Sequence, residues 1–177
     1  MTSYHEFNKF EKAEELIALL QQGKNIALVT DAGTPAISDP GEVLVKRCHE
    51  EEIPVTSLPG CCALITALTL SGLSTRRFCF EGFLPQKKGR QKKLSALAEE
   101  NRTMIFYESP FRLVKALEQM AEVFGPTRHA CVAREISKMF EEFKRGTLEE
   151  LAGWYKQNGV KGEIVLIVAG KDYNLAE

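Results

Sequence analysis

Strand-like apolar runs alternate with helical apolar spacing along the sequence, and this alternation limits the fold more than any other feature. Unbroken runs at 26–29 and 164–169 are typical of strands buried on both faces. The spacing over 10–20 predicts an amphipathic helix, and similar helical patterns separate the later runs. The repeated order of helix and strand predicts an α/β fold with two α/β lobes, each built on a mainly parallel sheet.

A polar segment at 73–77 separates two parts of the sequence that differ in composition. The residues after it are richer in aromatic and basic side chains. We therefore predict an N-terminal lobe over 1–75 and a C-terminal lobe over 76–177. The 177 residues, 44% of them hydrophobic, are enough to bury a sizeable core. A cleft between two such lobes is the expected place for a ligand.

The stretch 29–41 reads V-T-D-A-G-T-P-A-I-S-D-P-G. It follows an apolar run that predicts a strand over 25–30, and Gly33 and two prolines shape the turn. Asp39 is predicted to be a helix N-cap, since a proline follows it and a glutamate lies three residues later. Loops at the carboxyl ends of parallel strands are where open α/β sheets bind ligands. An ordinary connection between strand and helix is the alternative.

Further patterns place the later elements. Residues 53–58 and 103–107 predict strands, and Ser109-Pro110 predicts a helix start. A strand is expected over 129–135 with a hairpin partner over 139–145. Thr147 and Glu150 have the spacing of a capping box.

Composition excludes several classes of protein. The chain has 23 basic and 24 acidic residues, so its overall charge favours no particular partner. Its five cysteines include no C-x-x-C pair, and neither they nor the histidines have metal-ligand spacing, so we expect no metal site. Free thiols suggest a reducing compartment. With no secretory leader pattern and no long apolar run, we expect a cytoplasmic protein and no membrane partner.

One short stretch is strongly basic and contains no acidic residue. Such a run is either a solvated loop or a site for phosphates. Its basic residues are Lys87, Lys88, Arg90, Lys92 and Lys93.

Seven motifs together carry a family resemblance over nearly the whole chain. They are S-Y-H-E-F-N (3–8), A-L-V-T-D-A-G-T-P-A-I-S-D-P-G (27–41), L-P-G (58–60), E-G-F-L-P (81–85), F-Y-E-S-P-F-R (106–112), A-R-E-I-S-K (133–138) and G-E-I-V-L-I-V-A-G (162–170). The chain resembles the tetrapyrrole-methylase-like class of S-adenosylmethionine (AdoMet) methyltransferases. Within that class it is most similar to enzymes that 2′-O-methylate a cytidine ribose of 16S ribosomal RNA.

The resemblance implies a cofactor site in the cleft between the lobes. The residues that it places against AdoMet are Asp31, Gly33, Thr34, Pro35, Ile37, Cys62, Ala63, Tyr107, Glu108, Arg134 and Glu135. For Asp31, a hydrogen bond within its own loop is the alternative. A ribose hydroxyl is a poor nucleophile, so a general base is attractive. The sequence does not choose between Glu108, Glu135 and Lys138, and each could instead form a structural ion pair.

The resemblance also implies binding partners, and it leaves two alternative functions open. It favours small-subunit ribosomal RNA or the 30S subunit as the partner of the basic run, and a homodimer. A tetrapyrrole C-methyltransferase and an inactive AdoMet-binding fragment are the alternatives. Family members begin with a further strand and a glycine/proline loop that this sequence lacks, so we interpret the chain as a core fragment.

Overall fold

The structure is a computed structural model that describes residues 1–174. Its contacts divide the chain into two compact units, Met1–Cys62 and a second unit that begins at Ala63. Each unit buries a hydrophobic cluster of its own.

The first unit is built on two helices, α1 (Lys9–Gln21) and α2 (Glu42–Glu50). Helical spacing gives each an apolar face, and these faces pack together. The side chains buried there are Ala13, Leu16, Ile17, Leu44 and Cys48. At the rim, Arg47 Nε donates to Glu14 Oε1 at 2.6 Å. This contact lowers the pKa of the Glu14 carboxyl and links the two helices.

The prediction of strands over 25–30 and 53–58 is wrong. No residue from 1 to 62, all of which the structure describes, is assigned to a strand. Val29, the last residue of the first apolar run, is 75% exposed. A buried strand requires hydrogen-bonded neighbours, and these two segments form no ladder with any described strand. The apolar pattern alone therefore did not determine their conformation.

The second unit contains one five-stranded sheet in the order β1-β2-β5-β3-β4. The strands are β1 (Phe78–Phe83), β2 (Thr103–Glu108), β3 (His129–Arg134), β4 (Glu142–Thr147) and β5 (Ile164–Val168). Among the strands of residues 1–174, only the β1–β2 pair is parallel, and the other three pairs are antiparallel. The α/β class is confirmed, whereas the expectation of mainly parallel sheets is wrong.

The connections explain this mixture. A helical crossover, α4 (Arg90–Leu97), joins β1 to β2 and makes them parallel. A loop over 135–141 joins β3 to β4 as a hairpin, which confirms the predicted hairpin. The last of these strands, β5, then enters between β2 and β3, antiparallel to both. A continuous apolar run predicts burial on both faces but does not reveal the direction of a strand.

Helices cover both faces of this sheet. On one face, α4, α5 (Leu113–Phe124) and α6 (Leu148–Asn158) bury the main core. The remaining helix of this unit, α3 (Ala63–Ser71), covers the other face and contacts β2, β3, β4 and β5. It therefore belongs with the second unit, although it lies before the boundary predicted after residue 75. That boundary stays a prediction.

Two local predictions for the second unit have different outcomes. The capping box at the start of α6 is confirmed: the Glu150 amide donates to Thr147 Oγ1 at 3.2 Å, and the Thr147 amide donates to Glu150 Oε2 at 2.9 Å. The helix start at Ser109-Pro110 is wrong. Those residues form a turn, closed by a 2.9 Å bond from the Arg112 amide to the Ser109 carbonyl, and α5 begins at Leu113.

Strand direction defines one edge of the sheet that matters for function. β1, β2 and β3 point the same way, so all three end at this edge, which we call the carboxyl edge. The segments that leave it are 84–89, 109–112 and 135–141. Ile164 lies between the strand ends, paired with Glu108 on one side and Arg134 on the other. Strand spacing places those two residues about 10 Å apart.

Candidate functional site

The glycine- and proline-containing loop of the first unit is held against a second loop. Thr34 Oγ1 donates to the Cys61 carbonyl at 2.9 Å. A Cβ placed on Gly33 or Gly60 would lie 3.7 Å from a neighbouring atom of the opposite loop. Two segments that were predicted to contact the cofactor, 33–37 and the residues beside Cys62, are thus brought together within this unit.

The conformation of this loop depends on tight backbone turns. Gly33, Ala36 and Ser38 have φ values of 77°, 68° and 58°, in the left-handed region. Non-glycine residues in that region cost free energy, and they occur in tight turns and cluster at functional sites. A Cβ on Gly41 would lie 2.7 Å from Ala36 Cβ. Glycine at 41 therefore allows the loop to fold back on the start of α2.

Asp39 does not cap α2, so this prediction is wrong. The N-cap is Gly41, and no side chain caps the helix there. The Asp39 carboxylate instead accepts a hydrogen bond of 3.1 Å from Thr30 Oγ1. It ties the start of the loop to its end, which is a structural role.

The remaining predicted residues of the first unit are accessible. Asp31 and Ile37 are exposed, whereas Pro35 and Cys62 are half-buried. The side chains around Gly33 are small, so a ligand can approach the backbone closely.

In the second unit, the predicted residues gather at the carboxyl edge. Tyr107 and Glu108 end β2, Arg134 ends β3, and Glu135 follows it directly. Ala63, the other predicted contact in this unit, is exposed at the start of α3.

Glu108 lies in the interior, with its side chain only 1% exposed. Its Oε1 accepts from the Ser109 amide and from Arg112 Nε, each at 2.8 Å. Its Oε2 has no hydrogen-bond partner among the described residues, but Arg90 Nη1 lies 4.0 Å away. A carboxylate surrounded in this way is an internal anchor rather than a group that can reach a substrate.

Arg90 extends this buried charge cluster to two further segments. Its Nε donates to Gln119 Oε1 of α5 at 2.6 Å, and its Nη1 donates to the Pro85 carbonyl at 3.2 Å. The residue is 7% exposed. The expected contact of Arg90 with RNA phosphates is therefore excluded in this conformation.

Glu135 and Lys138 form an ion pair with one another. Glu135 Oε1 accepts from the Glu163 amide at 2.8 Å and from Lys138 Nζ at 3.2 Å. These contacts lower the pKa of Glu135. Ion pairs with Glu163 and Glu135 raise the pKa of Lys138. A carboxylate with a lowered pKa is a weaker base, and a lysine with a raised pKa stays protonated.

The loop that carries these two residues is closely fitted. Glu135 has φ 51° and Ser137 has φ 63°. Gly162 has φ 89°, and a Cβ there would overlap the Glu135 carboxyl group. Glycine at 162 therefore makes room for the Glu135 side chain.

Arg134 and Tyr107 have partners beside their strands. Arg134 Nη2 donates to Glu142 Oε2 at 3.3 Å, across the β3–β4 hairpin. The Tyr107 ring meets Phe80 and Phe83 edge to face, at centroid distances of 4.9 and 5.8 Å. Tyr107 thus belongs to an aromatic cluster at the end of β1 and β2.

The basic run is divided by the start of α4. Lys87, Lys88 and Lys92 are exposed. Lys93 pairs with Glu81, and Arg90 belongs to the buried cluster. Helical structure from Arg90 onward shows that the run is not one solvated loop. Exposed positive charge is concentrated just before and within the first turn of the helix.

Sequence reasoning missed two features of this edge. The first is the buried Arg90–Glu108 cluster, for which only the i, i+4 spacing of Glu108 and Arg112 was a signal. The second is Phe111, which is 97% exposed in the turn after β2. No group of three or more possible metal ligands occurs in residues 1–174, and no helix there is long and apolar enough to cross a membrane.

Comparison with known proteins identifies the family. The family model described as Tetrapyrrole (Corrin/Porphyrin) Methylases matches residues 2–152. The chain belongs to this family. The resemblance seen in the sequence motifs is therefore confirmed.

Curated relatives narrow the match within the tetrapyrrole methylases. The chain is 52% identical over 170 residues to a ribosomal RNA small subunit methyltransferase I of Haemophilus influenzae, covering 94% of this chain and 60% of that protein. It is 50% identical over 169 residues to the protein of the same name from Synechocystis, covering 95% and 61%. The chain thus spans about 60% of the length of these relatives.

Solved structures support the fold. The methyltransferase CobJ superposes with a TM-score of 0.64 at 19% identity, covering 90% of this chain and 70% of that one. A uroporphyrin-III C-methyl transferase from Thermus thermophilus, solved in complex with S-adenyl homocysteine, gives 0.63 at 18% identity, covering 92% and 74%. At these identities the likeness shows the fold of the tetrapyrrole methylases and nothing finer.

Proposed function

We propose that this chain is the core of an AdoMet-dependent methyltransferase that 2′-O-methylates a cytidine ribose of 16S ribosomal RNA. Identity near 50% to proteins named ribosomal RNA small subunit methyltransferase I carries the proposal. The tetrapyrrole substrate has weaker support, since the solved structures that suggest it are under 25% identical. The proposal includes a homodimer in the cytoplasm and the 30S subunit or its RNA as partner.

The residues of the first unit fit a cofactor held mainly by backbone and apolar contacts, with one carboxylate, that of Asp31, beside them. The hydrogen bond from Thr34 to Cys61 fixes two loops side by side. Gly33 leaves the backbone open to close approach. Pro35, Ile37 and Cys62 supply apolar surface, and Asp31 a carboxylate for a hydroxyl or amine. The contribution of Ala63, Tyr107, Arg134 and Glu135 to the same cofactor rests on the family resemblance and stays a prediction.

AdoMet supplies an electrophilic methyl group for in-line displacement by the ribose oxygen. The chain's residues would then act mainly by positioning, which can account for a large part of a rate enhancement. This view follows from the three candidate bases. Glu108 is buried against arginines, the pKa of Glu135 is lowered, and the pKa of Lys138 is raised. We propose that Glu108 is a positioning residue rather than the base.

Calorimetric titration with S-adenosylhomocysteine tests the cofactor site directly. We expect the chain to bind it, and Thr34→Val to weaken binding because the hydroxyl that holds Cys61 is lost. Thr34→Ser keeps the hydroxyl and is the matched control. Absence of binding by the wild-type chain, or equal binding by all three proteins, would overturn this site.

Transfer of labelled methyl groups tests the substrate. The RNA proposal requires incorporation into deproteinised 16S RNA or 30S subunits, at the ribose of a cytidine. Incorporation into uroporphyrinogen III instead would replace it with the tetrapyrrole alternative. Cofactor binding without transfer to either substrate would favour an inactive fragment.

A further inference from the structure

Two exposed aromatic rings lie on the β1 side of the carboxyl edge. Phe83 ends β1 and is 54% exposed, while Phe111, in the turn after β2, is 97% exposed. Phe83 pairs with Tyr107 in the sheet, and Phe111 follows four residues later, at most about 14 Å further along the chain. Exposed aromatic side chains at neighbouring strand ends are typical of an interaction site.

Positive charge adjoins these rings. Lys87 and Lys88 are exposed in the segment that follows Phe83. The stretch 84–93 contains five basic residues and no acidic one. Exposed rings beside lysines match the two parts of a nucleotide, because the rings stack on bases and the lysines attract phosphates.

The buried charge cluster fixes both the segment that carries the two lysines and the turn that carries Phe111. Arg90 binds the Pro85 carbonyl, so the segment with the two lysines is fixed at both ends. Glu108 binds Arg112 and the Ser109 amide, which fixes the turn that carries Phe111. A surface that is ordered in advance loses less conformational entropy on binding.

We propose that Phe83, Phe111, Lys87 and Lys88 form a binding surface for unpaired RNA, with bases stacked on the rings and phosphates beside the lysines. The inference rests on the proposed function, since it names how the RNA substrate would be held. A second copy of this chain fits less well, because a two-fold interface would bring the same lysines close together.

The other side of the same edge provides the contrast. Phe140 is 66% exposed after β3, but its neighbours in the chain and across the edge include Glu135, Glu141 and Glu163. Lys138 is neutralised by two of these carboxylates. Negative charge there repels phosphate, so Phe140 is excluded from the surface and serves as a control.

Fluorescence anisotropy with a labelled single strand of roughly 12 nucleotides, and with its duplex, tests the surface. We expect Phe111→Ala to weaken binding of the single strand at least about fivefold. Phe111→Tyr should restore it, and Phe140→Ala should have no effect. Because the bases of a duplex are not available for stacking, its binding should change little. Thermal melts confirm that each variant is folded.

Salt dependence separates the lysines from the rings. The double variant Lys87→Gln/Lys88→Gln should reduce the slope of log affinity against log salt by about 1.4, since each phosphate contact on a single strand contributes about 0.7. Phe111→Ala should leave that slope unchanged. Lys171→Gln is the charge control, because Lys171 follows β5 at the opposite edge of the sheet.

Three outcomes would overturn the surface: wild-type affinity in Phe111→Ala, an equal loss for single strand and duplex, or a change in oligomeric state with unchanged RNA affinity. The last would assign Phe111 to contact with a second copy. Titration with S-adenosylhomocysteine distinguishes failure of the RNA surface from failure of the proposed methyltransferase function. If the chain binds the cofactor product but Phe111→Ala binds RNA as tightly as wild type, the RNA surface alone is rejected. If the chain binds RNA as expected but does not bind the cofactor product, the methyltransferase function alone is rejected.

Discussion

Arg90 Nη1 lies 4.0 Å from Glu108 Oε2, and both side chains are buried in the second unit. This relationship joins the start of α4 to the end of β2. A buried carboxylate oxygen with no hydrogen-bond donor is costly unless a cation compensates it. Arg90 is therefore part of the folded core, although its sequence neighbours are solvated lysines.

Arg90→Ala should lower the free energy of unfolding by about 1–3 kcal/mol, because the hydrogen bonds of Arg90 to Gln119 and Pro85 are lost and only Arg112 is left to compensate the buried Glu108 carboxylate. Urea denaturation followed by circular dichroism measures the change. Lys92→Ala, an exposed position on the same helix, should change stability by no more than about 0.5 kcal/mol. Similar losses in the two variants would contradict a buried role for Arg90.

Gly41→Ala should destabilise the first unit by about 1–3 kcal/mol, since the new methyl group would meet Ala36 Cβ at 2.7 Å. The matched control is Gly153→Ala on α6, where a Cβ meets nothing within 4 Å. That change should stabilise the protein by up to about 1 kcal/mol, as alanine favours helix. Thermal melts of both variants measure these changes in stability. Stabilisation by both would show that the loop relaxes freely.

Glu100 should make stability depend on acid pH. Arg102 side-chain and backbone donors lower the pKa of Glu100 from 4.5 to about 2. A lowered pKa stabilises the fold above the ordinary value, and this contribution is lost as the pH falls from 4.5 to about 2. Glu100→Gln should cost up to about 1 kcal/mol at neutral pH, because the Arg102 side chain is 41% exposed.

Unfolding of Glu100→Gln at several pH values measures this effect. The difference from wild type should shrink toward pH 2. Glu122→Gln, at an exposed position on α5, is the control. A difference that is constant with pH would contradict the assigned ion pair.

Thiol labelling should rank the cysteines by their surroundings. Cys61 is exposed, whereas Cys131 is buried, and burial raises the pKa of Cys131 to about 11. Because the thiolate is the reactive form, iodoacetamide at pH 8 should modify Cys61 first and Cys131 only after unfolding. Peptide mass spectrometry over time gives the order. Early modification of Cys131 would show that the sheet opens readily.

The same labelling also reports on the proposed cofactor site. S-adenosylhomocysteine should slow modification of Cys61, whose carbonyl is held by Thr34. Cys79, for which burial raises the pKa to about 12, should label slowly with or without it. Equal protection of both cysteines would indicate general tightening rather than a local site.

The sequence predicted elements better than it predicted how they pair. Apolar periodicity located β2, β3 and β5, because burial leaves a direct trace in residue type. It did not show that β5 runs antiparallel to β2 and β3. The direction of a strand depends on contacts between residues far apart in the chain. In the first unit, the run at 26–29 was apolar enough for a strand but has no ladder partner among the described residues.

The candidate site shows a similar division. Motif residues such as Gly33, Thr34 and Tyr107 were predicted from the family resemblance, and the structure adds the contact between Thr34 and Cys61. The burial of Glu108 was not predictable, because a carboxylate at a strand end is as compatible with a cleft as with an ion pair. Its environment depends on Arg90, which comes from another segment of the chain.

The position of β5 has a consequence for synthesis of the protein on the ribosome. Residues 164–168 form the middle of the sheet but emerge after the other four strands. Until then, β1–β2 and β3–β4 are two separate pairs, and the edges of β2 and β3 that β5 later joins lack hydrogen-bond partners. The nascent chain therefore leaves those two strand edges unpaired until residues 164–168 have emerged, and protection of those edges should determine how much of it reaches the native state.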